Sequence, residues 1–408
     1  MILSRLHKTY WQAFHTLSLK VLLLSCTLLF VGFVCSRALA SIGMIGVAVA
    51  ALLNVRNFSP RVFFERKELL LLTLLFWGVF ISGLWSDDRN FWLNFTRIHI
   101  PFLLLPLAFA ALPVLRFKQF KAIALIYVLV MCISGVCVLV NYLLNYQSIN
   151  QSIMSGGVIP MPFSHIRYSL MLVFAFCVAV YFAKNFLLYV ASIFLFVLLH
   201  VLSVRSGLFA LYASIFTMLV IWIVRERKWL RAFLLALLLA GVTAIAFNTI
   251  PSLKNRIQYM MYDIRSYKYN QPIDASDGMR FRSWKAALQV AKSSPWMGVG
   301  YGDLQYAMSA YYTSNFPELE LQQHKLPHNQ FLWWLVATGC VGVFVFSVAV
   351  FFPFVKYFGT TVWLWHCFFA IIFSSFIWEA TLEEQMGTGF FSIWILLLMQ
   401  IDLKQKHE

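Results

Sequence analysis

The stretch DGMRFRSWKAALQVAKSSPWMGVGYG occupies residues 277–302, and LPHNQFLWWLVATGCVGVF follows at 326–344 after a polar segment. Almost unbroken hydrophobic sequence precedes these residues, so they form the one long part of the chain suited to meet water. The stretch also carries a histidine, His328, directly ahead of an apolar run. We predict that it lies over the outer face of a membrane bundle and contributes to a functional site there.

The composition predicts an integral membrane protein. Of the 408 residues, 61% are hydrophobic and only 12% are charged, whereas a soluble globular chain has about 25% charged residues. Apolar runs of about twenty residues recur along the chain, which is the length of a membrane-spanning helix and favours helices over a barrel. The net charge of +16 comes mostly from short loops that set topology and contact anionic lipid, so it does not indicate nucleic-acid binding.

The positions of the basic residues predict how the chain crosses the membrane. Short loops rich in Lys and Arg mark the cytoplasmic side, and the strongest such signal is RERKWLR at 225–231. Alternation from these loops gives an all-α polytopic membrane protein with about twelve transmembrane helices and both termini in the cytoplasm. The fourth helix is predicted near 98–115, after an aromatic outer loop, SDDRNFWLNFTR, at 86–97.

The chain divides into three predicted regions. Transmembrane helices one to nine occupy residues 1–248. One large, partly helical outer loop with amphipathic helices occupies residues 249–328. Transmembrane helices ten to twelve and a cytoplasmic tail occupy residues 329–408.

Six ionisable side chains are predicted to lie on the outer side of the membrane, although they come from five separate parts of the sequence. A charged group at the end of an apolar span costs free energy unless it is paired, snorkels to lipid headgroups or binds an anion. For Arg205, in SVRSG at 203–207, snorkelling and anion binding both remain open. The six residues are Arg167, Arg205, Arg280, Arg282, His328 and Glu383.

The segment DGMRFRSWKAALQVAKSS predicts an amphipathic helix suited to a membrane interface. Phe281, Trp284 and Leu288 recur at helical spacing, and basic residues occupy the other faces. The glycine-rich PWMGVGYGD at 295–303 lacks the lysine and the preceding strand of a phosphate-binding loop, so we exclude a nucleotide site.

His328 is the most specific candidate for a chemical role. It lies at the wet start of a predicted helix, and an imidazole with a pKa of about 6.5 can accept a proton at working pH. The alternative is a buried neutral histidine bonded to a carbonyl group. His165 and His324 are second-rank candidates on the same side. No His, Cys and Asp residues share metal-ligand spacing, so we predict no metal site and no cofactor.

Together these segments resemble the O-antigen ligase and O-antigen polymerase superfamily of bacterial inner-membrane glycosyltransferases. The resemblance rests on SVRSG, then GMRFRSW and SPWMGVGYG in the outer loop, then HNQFLWWLVATGCVG. The last segment looks like the family pattern of His-Asn, an aromatic-aliphatic run, and two glycines three residues apart. SHIRYSL at 164–170 and EATLEEQMGTGFF at 379–391 look like segments of one branch of the family.

The resemblance implies a GT-C-like membrane fold whose active site faces the periplasm. Family members transfer a glycan from undecaprenyl pyrophosphate to an acceptor hydroxyl without a metal. By similarity, Arg205 and Arg280 match the arginines that hold the pyrophosphate, and His328 matches the histidine that activates the acceptor. Arg280 is preferred to Arg282 because it lies four residues before Trp284, as in the family.

The chemistry of the donor agrees with these assignments. The leaving group is a lipid pyrophosphate whose negative charge grows as the sugar–oxygen bond breaks, and arginines on its oxygens stabilise that transition state. Glu383 or Glu379 is a candidate to orient the imidazole or to bind sugar hydroxyls, and an exposed turn that balances positive charge is the alternative. Arg167, Arg282 and His165 are secondary candidates.

The acceptor stays open at this point. A ligase joins the glycan to lipid A–core, a polymerase joins it to another lipid-linked repeat, and a protein hydroxyl is a third option. The span count and the single modest loop favour a ligase. A lipid-glycan transporter is disfavoured because few ionisable residues fall at mid-span. A structural or signalling membrane protein would leave the arginines and the histidine unexplained.

Overall fold

The computed structural model of the chain describes residues 2–55, 60–268, 276–360 and 362–401. All regular secondary structure within these residues is helical, and none of them lies in a β-strand. The predicted all-α class is therefore confirmed. The predicted cytoplasmic tail, 402–408, lies outside the described residues.

The helices are numbered here in chain order. The first ten are α1 (Ile2–Cys35), α2 (Arg37–Leu52), α3 (Pro60–Glu65), α4 (Lys67–Leu72), α5 (Leu74–Ser82), α6 (Arg89–His99), α7 (Pro101–Ala111), α8 (Phe117–Leu144), α9 (Tyr146–Met154) and α10 (His165–Tyr181). The others are α11 (Phe186–Leu202), α12 (Arg205–Val224), α13 (Trp229–Thr249), α14 (Pro251–Lys268), α15 (Ser276–Ala291), α16 (Leu304–Asn315), α17 (Gln330–Lys356), α18 (Trp363–Trp378) and α19 (Gln385–Met399).

Six helical segments of the described chain are long and apolar enough to cross a membrane, so this is a membrane protein. Five further apolar helices are shorter, namely α2, α10, α11, α18 and α19. The six candidate spans are Thr16–Cys35, Arg89–Ala111, Phe117–Leu144, Arg205–Val224, Trp229–Ala246 and Gln330–Lys356.

The fourth predicted helix begins earlier than its sequence suggested. The side chain of Asp88 accepts a hydrogen bond from the backbone N–H of Phe91 at 2.9 Å, which caps α6 at its N-terminus. Most of the predicted outer loop is therefore helical, and α6 and α7 form one candidate span, Arg89–Ala111. Pro101 does not end this span because it occupies the first turn of α7, where its missing N–H is not needed.

Helix α17 is interrupted at Gly339, whose φ of 66° and ψ of −169° are not helical. At the break, carbonyl groups lose the backbone N–H donors that the next turn of a continuous helix would provide. The carbonyls of Val336 and Ala337 instead accept the backbone N–H groups of Val299 and Gly300, both at 2.9 Å. The glycine-rich segment thus supplies the donors that the interrupted helix lacks.

The same segment also supplies the missing acceptors. The backbone N–H groups of Cys340 and Val341 donate to the carbonyls of Pro295 and Trp296, at 2.8 and 3.3 Å. Four polar backbone groups at the break are therefore satisfied by residues 295–300. Because an unsatisfied backbone group in hydrocarbon costs several kcal/mol, this pairing is what permits a break within a candidate span.

The glycine-rich segment is also tied to the loop that follows α5. The backbone N–H of Gly302 donates to Ser86 Oγ at 3.0 Å. The carboxylate of Asp303 accepts the backbone N–H groups of Asp87 and Asp88, at 2.9 and 3.0 Å. Residues 295–303 therefore join α17 to the loop that follows α5.

We predict that Gly339→Ala strongly destabilises the protein. A Cβ atom at this position would lie 2.3 Å from the backbone carbonyl of Trp296, and the positive φ is strained for any L side chain. The expected loss is at least about 2 kcal/mol, seen as a lower unfolding midpoint in detergent. Gly241→Ala is the control, because nothing lies within 4 Å of its added Cβ. Equal midpoints for Gly339→Ala and wild type would contradict this account.

Candidate functional site

Arg205 is the first residue of α12 and follows a very short connection. Helix α11 ends at Leu202, and Ser203 adopts a left-handed conformation with φ of 53° that reverses the chain. The side chain of Arg205 is therefore held at a helix N-terminus, where unpaired backbone N–H groups carry partial positive charge. A guanidinium and a helix N-terminus at one place together favour an anion.

Three arginines line one cavity of about 460 Å³. Arg205 comes from α12, Arg256 from α14 and Arg280 from α15, so three separate helices bring their guanidinium groups to a common space. Apolar side chains form much of the remaining wall, including Phe281 and Trp378. The two arginines selected from the sequence, Arg205 and Arg280, thus line the same cavity although about 75 residues separate them in the chain.

Arg256 is the cavity residue that the sequence analysis missed. Its side chain is buried, and its Nη1 donates to the carbonyls of Gly156 and Gly157, at 3.2 and 3.1 Å. The sequence contained a signal for this position: Leu253 and Met260 lie three residues before and four residues after Arg256, on the same face of a helix. Both also line the cavity. Arg256 and Asp263, seven residues apart, are both buried, so this face of α14 directs charged side chains to the protein interior.

Carboxylates balance part of this positive charge. Asp263 accepts the backbone N–H of Gly278 at 3.2 Å, and burial raises its pKa against the opposing effects of that bond and the three arginines. Burial lowers the pKa of Arg280, while the carboxylates of Glu379 and Asp263 act in the opposite direction. Among the residues that the structure describes, three guanidinium groups and two carboxylates lie at this cavity, and this surplus of basic side chains suits an anionic ligand.

His328 lies against a carboxylate at the start of α17. Its Nδ1 atom is 3.4 Å from Oε1 of Glu379, and about a third of the imidazole is exposed. Two residues of α15 hold its backbone: Trp284 Nε1 donates to the carbonyl of His328 at 2.9 Å, and the N–H of His328 donates to Ser283 Oγ at 3.3 Å. The predicted surface helix therefore positions the histidine directly.

Glu379 connects the histidine with the arginine cavity. Burial raises its pKa, but the hydrogen bond and charge of His328, together with Arg167 and Arg280, outweigh burial and lower the pKa to about 2. Its neighbour Trp378 lines the arginine cavity and packs on Trp284, with ring centroids 5.8 Å apart. The imidazole, the carboxylate and the cavity therefore belong to one site.

The secondary candidates have different positions. His165 lies within the electrostatic range of Arg205, Arg256, Arg280 and Glu379, at the start of α10. Arg282 instead points to another side of α15, with its guanidinium 5.6 Å from the ring centroid of Phe316.

Arg167 and His324 make structural contacts. Arg167 is buried and donates to the carbonyl of Ala380 at 2.8 Å and to Glu384 at 3.0 Å, so it clamps the turn that carries Glu379. His324 is also buried, and its ring stacks on Tyr312 with centroids 5.0 Å apart.

Glu383 lies in the protein interior and has a structural environment. Gln330 Nε2 and the hydroxyl of Tyr301 both donate to its Oε1, at 2.6 and 3.2 Å, and Oε2 lies 3.6 Å from Nε2 of His99. Burial raises the pKa of Glu383 to about 8, against the opposing bonds from Gln330 and Tyr301. Of the two predicted carboxylates, only Glu379 therefore contacts the imidazole.

The arrangement can hold an anion beside a base. Guanidinium groups in a cavity can bind an anion, and an imidazole beside a carboxylate, such as His328 beside Glu379, can accept a proton. Among the residues that the structure describes, no group of three or more His, Cys, Asp or Glu side chains is arranged to hold a metal ion.

Comparison with known families gives an independent match to this part of the chain. Residues 190–347 match the family model described as O-antigen ligase. No curated protein matches the chain. The matched segment contains Arg205, Arg256, Arg280 and His328. The resemblance predicted from the sequence is confirmed over these residues.

The buried carboxyl of Glu383 generates a prediction about pH. Between the ordinary value of 4.5 and about 8, the folded protein keeps a proton that the unfolded chain has lost, so stability falls as pH rises through this window. The expected slope is at most about 1.4 kcal/mol per pH unit. Glu383→Gln keeps the bonds from Gln330 and Tyr301 but removes the titration. The unfolding midpoint of wild type should therefore fall relative to that of Glu383→Gln, and parallel curves would exclude a protonated Glu383.

Proposed function

We propose that this membrane protein, whose residues 190–347 match the O-antigen ligase family, transfers a glycan from undecaprenyl pyrophosphate to an acceptor hydroxyl. We propose ligation to lipid A–core as the reaction. The observation that carries the proposal is the cavity lined by Arg205, Arg256 and Arg280, with the His328–Glu379 pair at its edge. A cationic cavity beside a base is what the transfer of a sugar from a lipid pyrophosphate requires.

The proposed topology keeps twelve crossings in a GT-C-like fold of the bacterial inner membrane. The six candidate spans, the five shorter apolar helices and the pair α4–α5 supply that number. Residues 249–328 then form the periplasmic loop between the regions 1–248 and 329–408, and both termini are cytoplasmic. The site faces the periplasm in this arrangement.

The arginines act on the leaving group. As the bond between the sugar carbon and the pyrophosphate oxygen breaks, negative charge accumulates on the pyrophosphate. Guanidinium groups that contact these oxygens stabilise the transition state more than the ground state. They take the role that a divalent cation has in metal-dependent transferases, so the proposed reaction uses no metal.

His328 acts on the acceptor. In the proposed step, the acceptor hydroxyl gives its proton to Nε2 as its oxygen attacks the sugar carbon, and the lipid pyrophosphate leaves. Nδ1–H then faces the carboxylate of Glu379, which fixes the tautomer and stabilises the imidazolium that forms. This carboxylate is ionised at neutral pH, because its pKa lies near 2.

Substitutions at the base test this step. In transfer assays with purified protein and undecaprenyl-pyrophosphate glycan, His328→Ala should lower the rate by about 10²–10⁴-fold. Glu379→Gln should lower it by at least about tenfold, because the imidazolium loses its counter-charge. Both variants should still bind the lipid pyrophosphate. Full activity of His328→Ala would refute the mechanism.

Substitutions at the arginines test the anion site. Arg205→Ala, Arg256→Ala and Arg280→Ala should each weaken transfer by about 10²–10³-fold, because each guanidinium faces the growing charge. Arg282→Ala is the matched control, since its side chain lies against Phe316, and its activity should stay within about twofold of wild type. An equal loss in Arg282→Ala and Arg280→Ala would contradict the assignment.

The acceptor is tested in a deletion strain. Bare lipid A–core with accumulated lipid-linked polymer would support the ligase. Lipid A–core that bears a single repeat would instead identify an O-antigen or exopolysaccharide polymerase, which uses the same donor site. Movement of the lipid-linked glycan across a membrane without any new glycosidic bond would identify a transporter.

A further inference from the structure

The residue that follows His328 ties the start of α17 to the end of α18. Asn329 Oδ1 accepts the backbone N–H of Leu332 at 2.9 Å, which caps α17 at its N-terminus. Its Nδ2 donates to the carbonyl of Ile377 at 3.0 Å. Ile377 lies two residues before Glu379, so this one side chain begins the helix behind the imidazole and contacts the segment that carries the carboxylate.

The next residue, Gln330, binds the same segment on the other side of Glu379. Its side chain is fully buried. Gln330 Oε1 accepts the backbone N–H of Leu382 at 2.8 Å, and its Nε2 donates to Oε1 of Glu383 at 2.6 Å. A backbone N–H group can only donate, so the orientation of the amide is fixed and both of its ends are used. Gln330 is therefore a bidentate clamp on the turn that follows Glu379.

The clamp matters because Glu379 lies just beyond the end of a helix. It follows the last residue of α18 with an extended backbone, at φ of −155° and ψ of 148°. Helix α18 by itself therefore does not fix the direction of this side chain. The contact between Nδ1 of His328 and Oε1 of Glu379 spans 3.4 Å, which is at the long end of a hydrogen bond. A displacement of about 1 Å would remove it, and a shift of that size can lower a rate about a hundredfold.

Other contacts in this region hold the imidazole and the carboxylate to different helices. Arg167 ties the turn after Glu379 to α10, and two residues of α15 hold the backbone of His328. Gln330 and Asn329 instead join the segment of the imidazole directly to the segment of the carboxylate. The distance within the pair thus depends on these two side chains.

We propose that Gln330 is a positioning residue that holds the carboxylate of Glu379 against the imidazole of His328, with Asn329 as a second tie. The inference rests on the proposed function for the reaction that the pair serves. Gln330 acts through Glu379 and not on the substrate itself. It sets the distance between a base and the carboxylate that stabilises the protonated form of that base.

Steady-state transfer by purified full-length protein tests this role. Gln330→Met keeps the length of the side chain and removes both of its hydrogen bonds. It should lower kcat by at least about tenfold, because Glu379 no longer supports the imidazolium. KM for the undecaprenyl-pyrophosphate glycan should stay within about twofold of wild type, because the arginine cavity is unchanged. Gln400→Met is the matched control: Gln400 is buried, its Nε2 donates to the carbonyl of Phe109 at 3.1 Å, and its kcat should stay within about twofold of wild type.

A double variant separates positioning from general damage to the fold. If Gln330 acts through Glu379, adding Gln330→Met to Glu379→Gln should change kcat by less than about twofold, because the support of the imidazolium is already lost. Multiplication of the two separate losses would overturn the inference. Equal losses in Gln330→Met and Gln400→Met, or a wild-type kcat in Gln330→Met, would also overturn it.

Asn329→Ser provides a second variant if Gln330→Met does not fold. A serine still caps α17, because its hydroxyl can accept the N–H of Leu332, but it is too short to reach the carbonyl of Ile377. Its kcat should fall by at least about threefold at an unchanged KM and an unchanged unfolding midpoint. A wild-type kcat in this variant would contradict the inference.

Nuclear magnetic resonance of protein labelled with ¹⁵N-histidine tells failure of this inference apart from failure of the proposed function. The Nδ1 signal of His328, assigned by its loss in His328→Ala, reports the contact with the carboxylate without any turnover. Gln330→Met should move this signal to its position in Glu379→Gln, and Gln400→Met should leave it in place. Movement of the signal without glycan transfer by wild type would retain the positioning and remove the enzymatic proposal. Glycan transfer with an unmoved signal would retain the enzyme and overturn the positioning.

Discussion

The satisfaction of backbone polar groups at the break in α17 is the constraint on which the site depends. A helix within hydrocarbon cannot leave carbonyl and amide groups without partners, so the interruption at Gly339 is stable only with residues 295–300 docked against it. That docking fixes where the preceding helix, α15, ends. Trp284 and Ser283 of α15 then hold the backbone of His328, so the position of the imidazole follows from the pairing at the break.

The arginine cavity illustrates how a membrane protein holds concentrated charge. Desolvated guanidinium groups repel one another, and Asp263 and Glu379 offset only part of that cost. Arg256 gains bonds to two carbonyls, and the N-terminus of α12 adds further positive potential beside Arg205. An anionic ligand in this cavity would reduce the repulsion among the guanidinium groups.

The turn 379–384 places the carboxylates of Glu379 and Glu383 in two different environments. Glu379 contacts His328 and lies near Arg167 and Arg280, and these neighbours keep its carboxylate ionised despite burial. Glu383 points into the interior, where Gln330 and Tyr301 bond to it and burial favours its neutral form. Arg167 fixes the turn between them through the carbonyl of Ala380. Two carboxylates only four positions apart therefore lie in different environments, one against His328 and one in the protein interior.

The sequence by itself determined the class of the protein. Its long apolar segments belong in the hydrocarbon of a membrane, and segments of this kind satisfy their backbone hydrogen bonds there as helices. The resemblance of its motifs to those of a known family also gave Arg205, Arg280 and His328 as candidate site residues. The sequence pattern placed the start of the fourth helix too late, because it predicted a loop at 86–97. The Asp88 side chain instead caps α6, which begins at Arg89 and includes the aromatic residues of that segment.

Only the tertiary structure decided which charges share a cavity. It added Arg256, turned Arg282 toward Phe316, and assigned Glu379 rather than Glu383 to the imidazole. These choices depend on the direction of side chains on helices that are distant in sequence, and helical periodicity fixes a face but not its neighbour.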